Sequence, residues 1–261
     1  MPSMLAWTNL ADIAQEITAT REATGLGVRN LLTEPLGEVW RVPAVAAGAT
    51  TDIQVTLAAP ASIGVVAVFA PRDSYLPPAY QLRVTASLVS VAGSEVLNTG
   101  NIALNLAANR GAYWYWPATS FTAQFLRLRF TAGTGDEYLQ LGRLWLGPDF
   151  RPAIQASRTG QVRGVMTAGL VERAAVSGIV SAQRGATYRA GRFTLPLLTT
   201  TEAVQVETAA LAVGTHGQVI ANPRTQEGAA SLLLGRFATP PQPEIIAPKR
   251  WSASITVLED L

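Results

Sequence analysis

The sequence predicts a mainly β protein built from two domains, and three observations lead to this fold class. Between Val28 and about Trp145, short apolar and β-branched runs are separated by turn residues, at the spacing of a β-sandwich. The stretch from Gly147 to Gln161 has two prolines, two glycines and no hydrophobic periodicity, which indicates a linker. Beyond it, strand-like runs surround one helix-like segment. The second domain is therefore predicted to be smaller and β-rich, with one α-helix.

These boundaries divide the chain into four predicted parts. Residues 1–27 form an N-terminal arm or a short helix, 28–150 the sandwich, 151–161 the linker, and 162–261 the second domain with its helix near 200–213. In the first part, apolar residues recur at nearly helical spacing and two glycines follow that could end a helix. They are Leu5, Trp7, Leu10, Ile13 and Ile17, then Gly25 and Gly27.

Six segments of the first domain have strand patterns. They are DIQVTL (52–57), GVVAVFA (64–70), QLRVTASLV (81–89), AYWYWP (112–117), FLRLRFTA (125–132) and YLQLGRLWLG (138–147). GVVAVFA is continuously apolar, as expected of a strand buried on both faces. Strict alternation in FLRLRFTA places Leu126, Leu128 and Phe130 on one face and the two arginines on the other.

In the second domain, one helix stands among several predicted strands. Thr199 and Glu202 match the S/T-x-x-E capping box, and the helical run ends before Gly214, a favoured residue after a helix. The predicted strands lie in GVMTAGLVERAAV, ATYRAGRFTLPLL, QVIANP, SLLLGRFATPP and WSASITVLEDL. The proline-rich run PPQPEIIAP (240–248) is predicted to be an extended loop.

Composition limits the function classes. Apolar residues make up 48% of the chain and charged residues only 15%, a balance typical of a subunit in a larger assembly. The net charge is only +2, and the acidic and basic residues are interspersed along the chain, so we expect no nucleic-acid-binding surface. There is no cysteine, which excludes disulfides, thiolate metal sites and thiol nucleophiles. No apolar run reaches about 18 residues, so no membrane insertion is predicted.

No catalytic constellation is recognisable. His216 is the only histidine, and neither a G-x-S-x-G elbow nor a phosphate-binding glycine motif is present. Asp136 and Glu137 are adjacent in a glycine-rich turn, where solvated acids are the ordinary outcome. We therefore predict no enzymatic activity, no cofactor, and no catalytic or metal-binding residues.

An aromatic run is the sharpest local feature. Alternation from Tyr113 to Trp116 puts the two tryptophans on one face of a strand and the two tyrosines on the other. Aromatic faces stack on sugar rings and anchor protein interfaces, so Trp114, Tyr115 and Trp116 are candidates for carbohydrate or subunit contact. The alternative is that one pair belongs to the core while the other only covers the sheet.

Several segments together resemble a known family. NLLTEPLGEVWRV (30–42), TTDIQVTLAAPASIGVVAVFA (50–70) and FLRLRFTAGTGDEYLQLGRLWLGPDFRP (125–152) resemble galactose-binding-like jelly-roll domains in tail-tip and baseplate proteins of long-tailed bacteriophages, the siphophages. The second half, with YRAGRFTLPLLTTTEAVQVETAALAVGTHGQVIANP (188–223), resembles the split-barrel hub units of such proteins, so a β-barrel-like second domain is expected.

The resemblance implies a virion structural protein at the distal end of a phage tail, made in the host cytoplasm. It would form a homo-oligomer and contact other tail and baseplate proteins. A second hypothesis is a receptor-binding module for host-surface glycans, with polar loop residues such as Asn98, Asn101 and Arg110 beside the aromatic residues. A third is a glycan-degrading enzyme, which requires two facing carboxylates about 5 to 10 Å apart.

Overall fold

The computed structural model describes most of the chain, and strands dominate it, as predicted. The described residues are 3–71, 80–91, 93–133, 137–157, 161–167, 170–173, 180–183 and 187–260. Within them, one α-helix, α1 (Thr200–Val213), accompanies two short 3-10 helices at Val28–Leu32 and Thr225–Ser231. No helix in these ranges has the length and apolar character needed to cross a membrane.

The strands are numbered along the chain. Those of the first half are β1 (Met4–Ala6), β2 (Glu16–Ala19), β3 (Trp40–Val45), β4 (Thr50–Ile63), β5 (Val65–Phe69), β6 (Gln81–Ser87), β7 (Glu95–Asn98), β8 (Ile102–Ala103), β9 (Ala112–Tyr115), β10 (Phe121–Thr131), β11 (Glu137–Leu141) and β12 (Arg143–Gly147). Those of the second half are β13 (Val162–Thr167), β14 (Leu170–Arg173), β15 (Val180–Gln183), β16 (Thr187–Leu198), β17 (Val219–Asn222), β18 (Leu233–Phe237), β19 (Glu244–Ala247) and β20 (Arg250–Glu259).

Strands β2 to β12 form a two-layered β-sandwich. One layer has the order β2, β4, β10, β6, β7, with β8 also paired to β6. The other layer consists of two small sheets, β11 with β3, and β12, β5, β9. Side chains from both layers share one core, to which β10 contributes the buried Leu126, Leu128 and Phe130. The alternation predicted for this strand is therefore confirmed.

The run predicted as one strand over 138–147 is divided at Gly142. β11 pairs with β3, whereas β12 pairs with β5, so the two halves belong to different sheets. A Cβ atom at Gly142 would lie 2.3 Å from the backbone oxygen of Leu36, which leaves no room for any side chain. The change of sheet therefore depends on a glycine at this position.

One antiparallel sheet of seven strands forms most of the described second domain. Its order is β1, β17, β18, β20, β16, β13, and β19 pairs with β20 beside β18. β14 and β15 pair with each other as a separate two-stranded sheet. α1 packs on β16 and β20 and buries Ala203, Val206 and Ala209.

Both ends of α1 confirm the sequence prediction. The Glu202 N–H donates to the Thr199 hydroxyl at 3.2 Å, and the Thr199 N–H donates to the Glu202 carboxylate at 2.8 Å. At the other end, the Gly214 N–H donates to the backbone oxygen of Ala210. These bonds satisfy backbone groups that the helix itself leaves without partners.

The N-terminal segment is not a helix. Its apolar residues have nearly helical spacing but serve two different cores: Leu5 lies in the core of the second domain, whereas Ile17 packs against the sandwich core. β1 consequently pairs with β17 at one end of the seven-stranded sheet, and β2 pairs with β4 in the sandwich. The first domain thus includes residues before Val28, and the second includes the first described strand.

The predicted linker and proline-rich loop are both more structured than their composition indicates. Between residues 151 and 157 the backbone is irregular, yet Ala156 is buried in the second core and the Ser157 N–H donates to Thr194 O at 2.9 Å. The proline-rich run contains β19, which turns into β20 through Lys249 in a left-handed conformation (φ 59°). Tertiary packing, which composition does not encode, orders both segments.

An apolar cluster joins the two domains. It lies between the outer face of the β12, β5, β9 sheet and the strands β1, β17 and β18 of the second sheet. The sandwich supplies Val65, Ala67, Phe69, Ala112 and Trp145, and the second domain supplies Met4, Ala6, Ile220, Leu232 and Leu234, all buried. The domains therefore contact each other through buried apolar side chains.

A buried guanidinium adds polar contacts to this interface. Arg143 at the start of β12 donates two hydrogen bonds of 2.7 Å to the Asp12 carboxylate and one of 3.0 Å to the Gln218 side chain. Gln218 in turn donates to Asp260 at 2.6 Å. Burial raises the pKa of Asp12 above its ordinary value, although the bond from Arg143 acts in the opposite direction.

Candidate functional site

The three aromatic candidates from the sequence lie at the end of β9, close to the domain junction. Tyr115 packs against the sandwich core, next to the buried Tyr113, whose pKa burial raises to about 12 with a smaller contribution from Tyr115. Trp114 and Trp116 lie on the opposite face and pack against the inter-domain cluster. The predicted alternation is correct, but both faces are partly covered by the protein itself.

The two tryptophans stack on each other. Their ring centroids are 5.5 Å apart and the planes differ by 10°. Trp116 also has the Arg151 guanidinium 4.7 Å from its ring centroid, a distance typical of a cation–π contact. Trp116 is therefore occupied by intramolecular contacts, which join the end of β9 to the segment that follows β12.

Asp149 links the aromatic pair to Arg151. Its carboxylate accepts hydrogen bonds of 2.5 Å from the Trp116 indole N–H and from Arg151 Nε, and a longer one of 3.5 Å from the Ser120 hydroxyl. The Asp149 side chain is only 1% exposed, so these donors replace the water that the carboxylate loses. A Cβ atom at Gly64 would lie 1.7 Å from Asp149 Oδ1, so the glycine makes room for the carboxylate.

Arg151 is held in place by more than its ion pair. It donates to the backbone oxygen of Ala118 at 2.5 Å and, more weakly, to that of Gly64 at 3.4 Å. The guanidinium is thus fixed by two backbone oxygens, a carboxylate and an indole ring. About a quarter of the side chain (27%) remains exposed, on the side of an open cleft.

This cleft, of about 420 Å³, lies where the sandwich, the N-terminal segment and α1 meet. Its lining residues are Trp7, Thr8, Ser120, Pro148, Asp149, Phe150, Arg151 and Gln205. They combine aromatic and proline surface with hydroxyl, amide and guanidinium groups, a mixture typical of small-molecule sites. We refer to this site as the junction cleft.

Strand pairing positions the N-terminal wall of the junction cleft. Leu5 and Phe150 exchange backbone hydrogen bonds, with N–O distances of 3.2 and 2.7 Å. This bridge places Trp7 beside Phe150, with ring centroids 6.2 Å apart and planes tilted by 52°. Trp7 is half-buried, and Gln205 is exposed on α1 across the cleft.

Sequence patterns missed most of this site. The sequence pattern places Trp7 among apolar residues at helical spacing, and it places Asp149 and Arg151 in the stretch from Gly147 to Gln161 that indicates a linker. The available signal is local: GPDFRP places an acid and a base around a phenylalanine at the end of a buried strand. Nothing in that signal predicts a buried Asp149, since the space comes from Gly64, far away in the sequence.

The other residues considered from the sequence are elsewhere. Asn98 is bonded to Arg83 and Glu95 on the sandwich surface, while Asn101, Arg110 and His216 are exposed. Asp136 and the side chain of Glu137 lie outside the described residues. In the described ranges, no three His, Cys, Asp or Glu side chains are grouped as metal ligands.

Comparison with known proteins gives similarities at the level of structure only. No protein-family model matches the sequence, and no curated protein is similar to it. A carbohydrate-binding module, CBM32-3 of a family 31 glycoside hydrolase from Clostridium perfringens, is 21% identical with a TM-score of 0.42, covering 53% of this chain and 94% of that one.

Two further structures are similar over nearly the same share of the chain. A fucose binding module from Streptococcus pneumoniae is 14% identical with a TM-score of 0.43, covering 54% of this chain and 95% of that one. The family 32 module from C. perfringens NanJ, in complex with galactose, is 14% identical with a TM-score of 0.44, covering 54% and 98%.

Proposed function

We propose that this chain is a non-catalytic saccharide-binding protein and that the junction cleft is its binding site. The half-buried Trp7 lines this cleft together with the hydroxyl of Ser120 and the amide of Gln205, and this combination carries the proposal. A pyranose presents an apolar ring face, which an indole can cover, and a rim of hydroxyls, which neutral polar groups can bond.

The fixed geometry of the cleft supports this function. Arg151 is held by Asp149, Ala118 and Trp116, and Trp7 is held beside Phe150 by the bridge to Leu5. A ligand that enters the cleft therefore has little motion of Arg151 or Trp7 to freeze, which reduces this part of the entropic cost of binding.

Titration calorimetry with a panel of saccharides tests the proposal. We expect binding by the intact chain and a clear loss of affinity in Gln205→Ala, whose side chain is exposed on α1. Gln242→Ala is the matched control, because it removes the same exposed side chain outside the cleft. Absence of binding to every saccharide, or equal losses in both variants, would contradict the assignment.

A second proposed function is attachment to a larger assembly, at the distal end of a phage tail in a virion, through copies of this chain and other tail proteins. It is favoured by exposed apolar surface on the second domain. In the described residues, large exposed apolar side chains there are Val162, Val165, Met166, Leu197, Val204, Leu211, Ile245 and Ile246. Surface of this kind is typical of protein contacts.

Light scattering at several concentrations tests the assembly proposal. A closed oligomer that Val165→Asp on β13 converts to monomer would support it, since β13 lies at one end of the seven-stranded sheet. A strict monomer at every concentration would argue against self-assembly. Val89→Asp, an exposed valine of the sandwich, is the matched control.

A further inference from the structure

The charged groups around the junction cleft are paired. The Arg151 guanidinium is neutralised by Asp149 at 2.5 Å, and next along the chain the Ala153 N–H donates to Glu202 on α1 at 2.6 Å. Burial of Glu202 opposes ionisation, but the N–H groups of Ala153 and Thr199 outweigh it and lower the pKa, with help from Arg250. Of the residues that line the cleft, the two charged ones, Asp149 and Arg151, thus neutralise each other.

The uncharged polar groups of the cleft, in contrast, are free. Within the described part of the chain, the Trp7 indole N–H, the Thr8 hydroxyl and the Gln205 amide have no hydrogen-bond partner, and the Ser120 hydroxyl has only its 3.5 Å contact with Asp149. These groups supply both donors and acceptors without charge. Together they match a ligand that carries hydroxyl groups and no ionised group.

The free groups come from both domains. Ser120 follows β9 and belongs to the sandwich, Gln205 is on α1, and Trp7 follows β1, which pairs with β17 in the second sheet. A ligand that contacts Ser120 and Gln205 at once therefore bridges the domain junction.

We infer that the junction cleft takes an uncharged saccharide and that both domains hold it. This inference rests on the proposed saccharide-binding function and adds the ligand class and the composite nature of the site. An acidic sugar is disfavoured because Arg151, the charged lining residue that a ligand can reach, is already paired with Asp149, so a sugar carboxylate would lose its water without gaining an unpaired cation.

A matched pair of ligands tests the ligand class. Methyl β-galactopyranoside and methyl β-galacturonide share a ring and differ in one carboxylate, so we would titrate the intact chain with each at 20 mM and 500 mM salt. We expect the neutral sugar to bind at least about tenfold more tightly, with its affinity nearly independent of salt. If the galacturonide binds more tightly and its affinity falls with salt, the assignment of an uncharged ligand is overturned while saccharide binding still holds.

Substitutions at two exposed residues test whether both domains contact the ligand. Ser120→Ala and Gln205→Ala should each lower the affinity for the neutral sugar by roughly fivefold, which corresponds to the loss of about one hydrogen bond between neutral groups. An unchanged affinity in either variant would overturn the composite site. If neither sugar nor any other saccharide binds, the proposed function itself fails. Unchanged unfolding midpoints would show that both variants fold.

Discussion

Two arginine–aspartate pairs at the domain junction have opposite burial. In the Arg143–Asp12 pair the guanidinium is 1% exposed and the carboxylate 35%, whereas in the Arg151–Asp149 pair the carboxylate is 1% exposed and the guanidinium 27%. The buried member decides the role of each pair. Buried Arg143 joins the domains through Gln218, while buried Asp149 fixes Trp116 and Arg151 beside an open cleft.

The largest effect should come from removing the buried cation. Arg143→Met removes the donor to Gln218 and leaves the Asp12 carboxylate with only its 3.0 Å bond from Asn9. We expect it to lower the free energy of unfolding by about 3 kcal/mol, at the low end for breaking a buried ion pair because Asp12 is partly hydrated. Denaturant unfolding measures this. A loss below about 1 kcal/mol would mean that Arg143 is not a main contact between the domains.

Removing the buried anion should have a smaller effect on stability and a specific effect on binding. Asp149→Asn keeps the shape but leaves Arg151 without its counter-charge, so we expect a loss of about 2 kcal/mol. The cleft also becomes positive, and we expect its preference to shift toward galacturonide. Calorimetry with the matched sugars measures that shift, and an unchanged preference would show that Asp149 does not set the ligand class.

Replacing the exposed cation should change stability least among the charge-pair variants. Arg151→Lys keeps the charge but loses the planar contact with Trp116 and at least one of the fixed hydrogen bonds. We expect a stability loss of about 1 kcal/mol. An equal loss in Arg151→Lys and Arg143→Lys would contradict the different roles assigned to the two pairs.

The pH dependence of Asp12 gives the subtlest test. Its folded pKa is raised, so the folded state binds this proton more readily than the unfolded chain. The contribution of Asp12 to the free energy of unfolding is therefore greatest below its unfolded pKa of about 3.8, and it is lost as the pH rises through the raised folded pKa. In Asp12→Asn, stability should therefore fall more steeply as the pH is lowered, and denaturant unfolding between pH 3 and 7 would measure this. A shallower profile would contradict the raised pKa.

Local patterns predicted the parts of the fold that depend on local chemistry. The alternation through Leu126, Leu128 and Phe130 and the capping box of Thr199 and Glu202 are both as expected, because period and capping are properties of neighbouring residues. β1 was missed because its partner β17 lies more than 200 residues away, and three residues carry little periodicity.

The site was less predictable for a physical reason. The predicted alternation of Trp114 and Trp116 with the tyrosines is correct. The face that carries the two tryptophans is, however, covered by the inter-domain cluster, to which the second domain contributes. The burial of Asp149 requires the missing side chain of Gly64, and Trp7 reaches the cleft only through the Leu5–Phe150 bridge. Each of these contacts joins distant segments, which a single sequence does not pair.

A crystal structure of the intact chain grown with methyl β-galactopyranoside would show directly whether the sugar binds in the junction cleft. We expect the sugar in the junction cleft, with its ring against Trp7 and its hydroxyls within hydrogen-bonding distance of Ser120 and Gln205. A sugar bound only at another surface of the sandwich, with the cleft containing solvent, would contradict it.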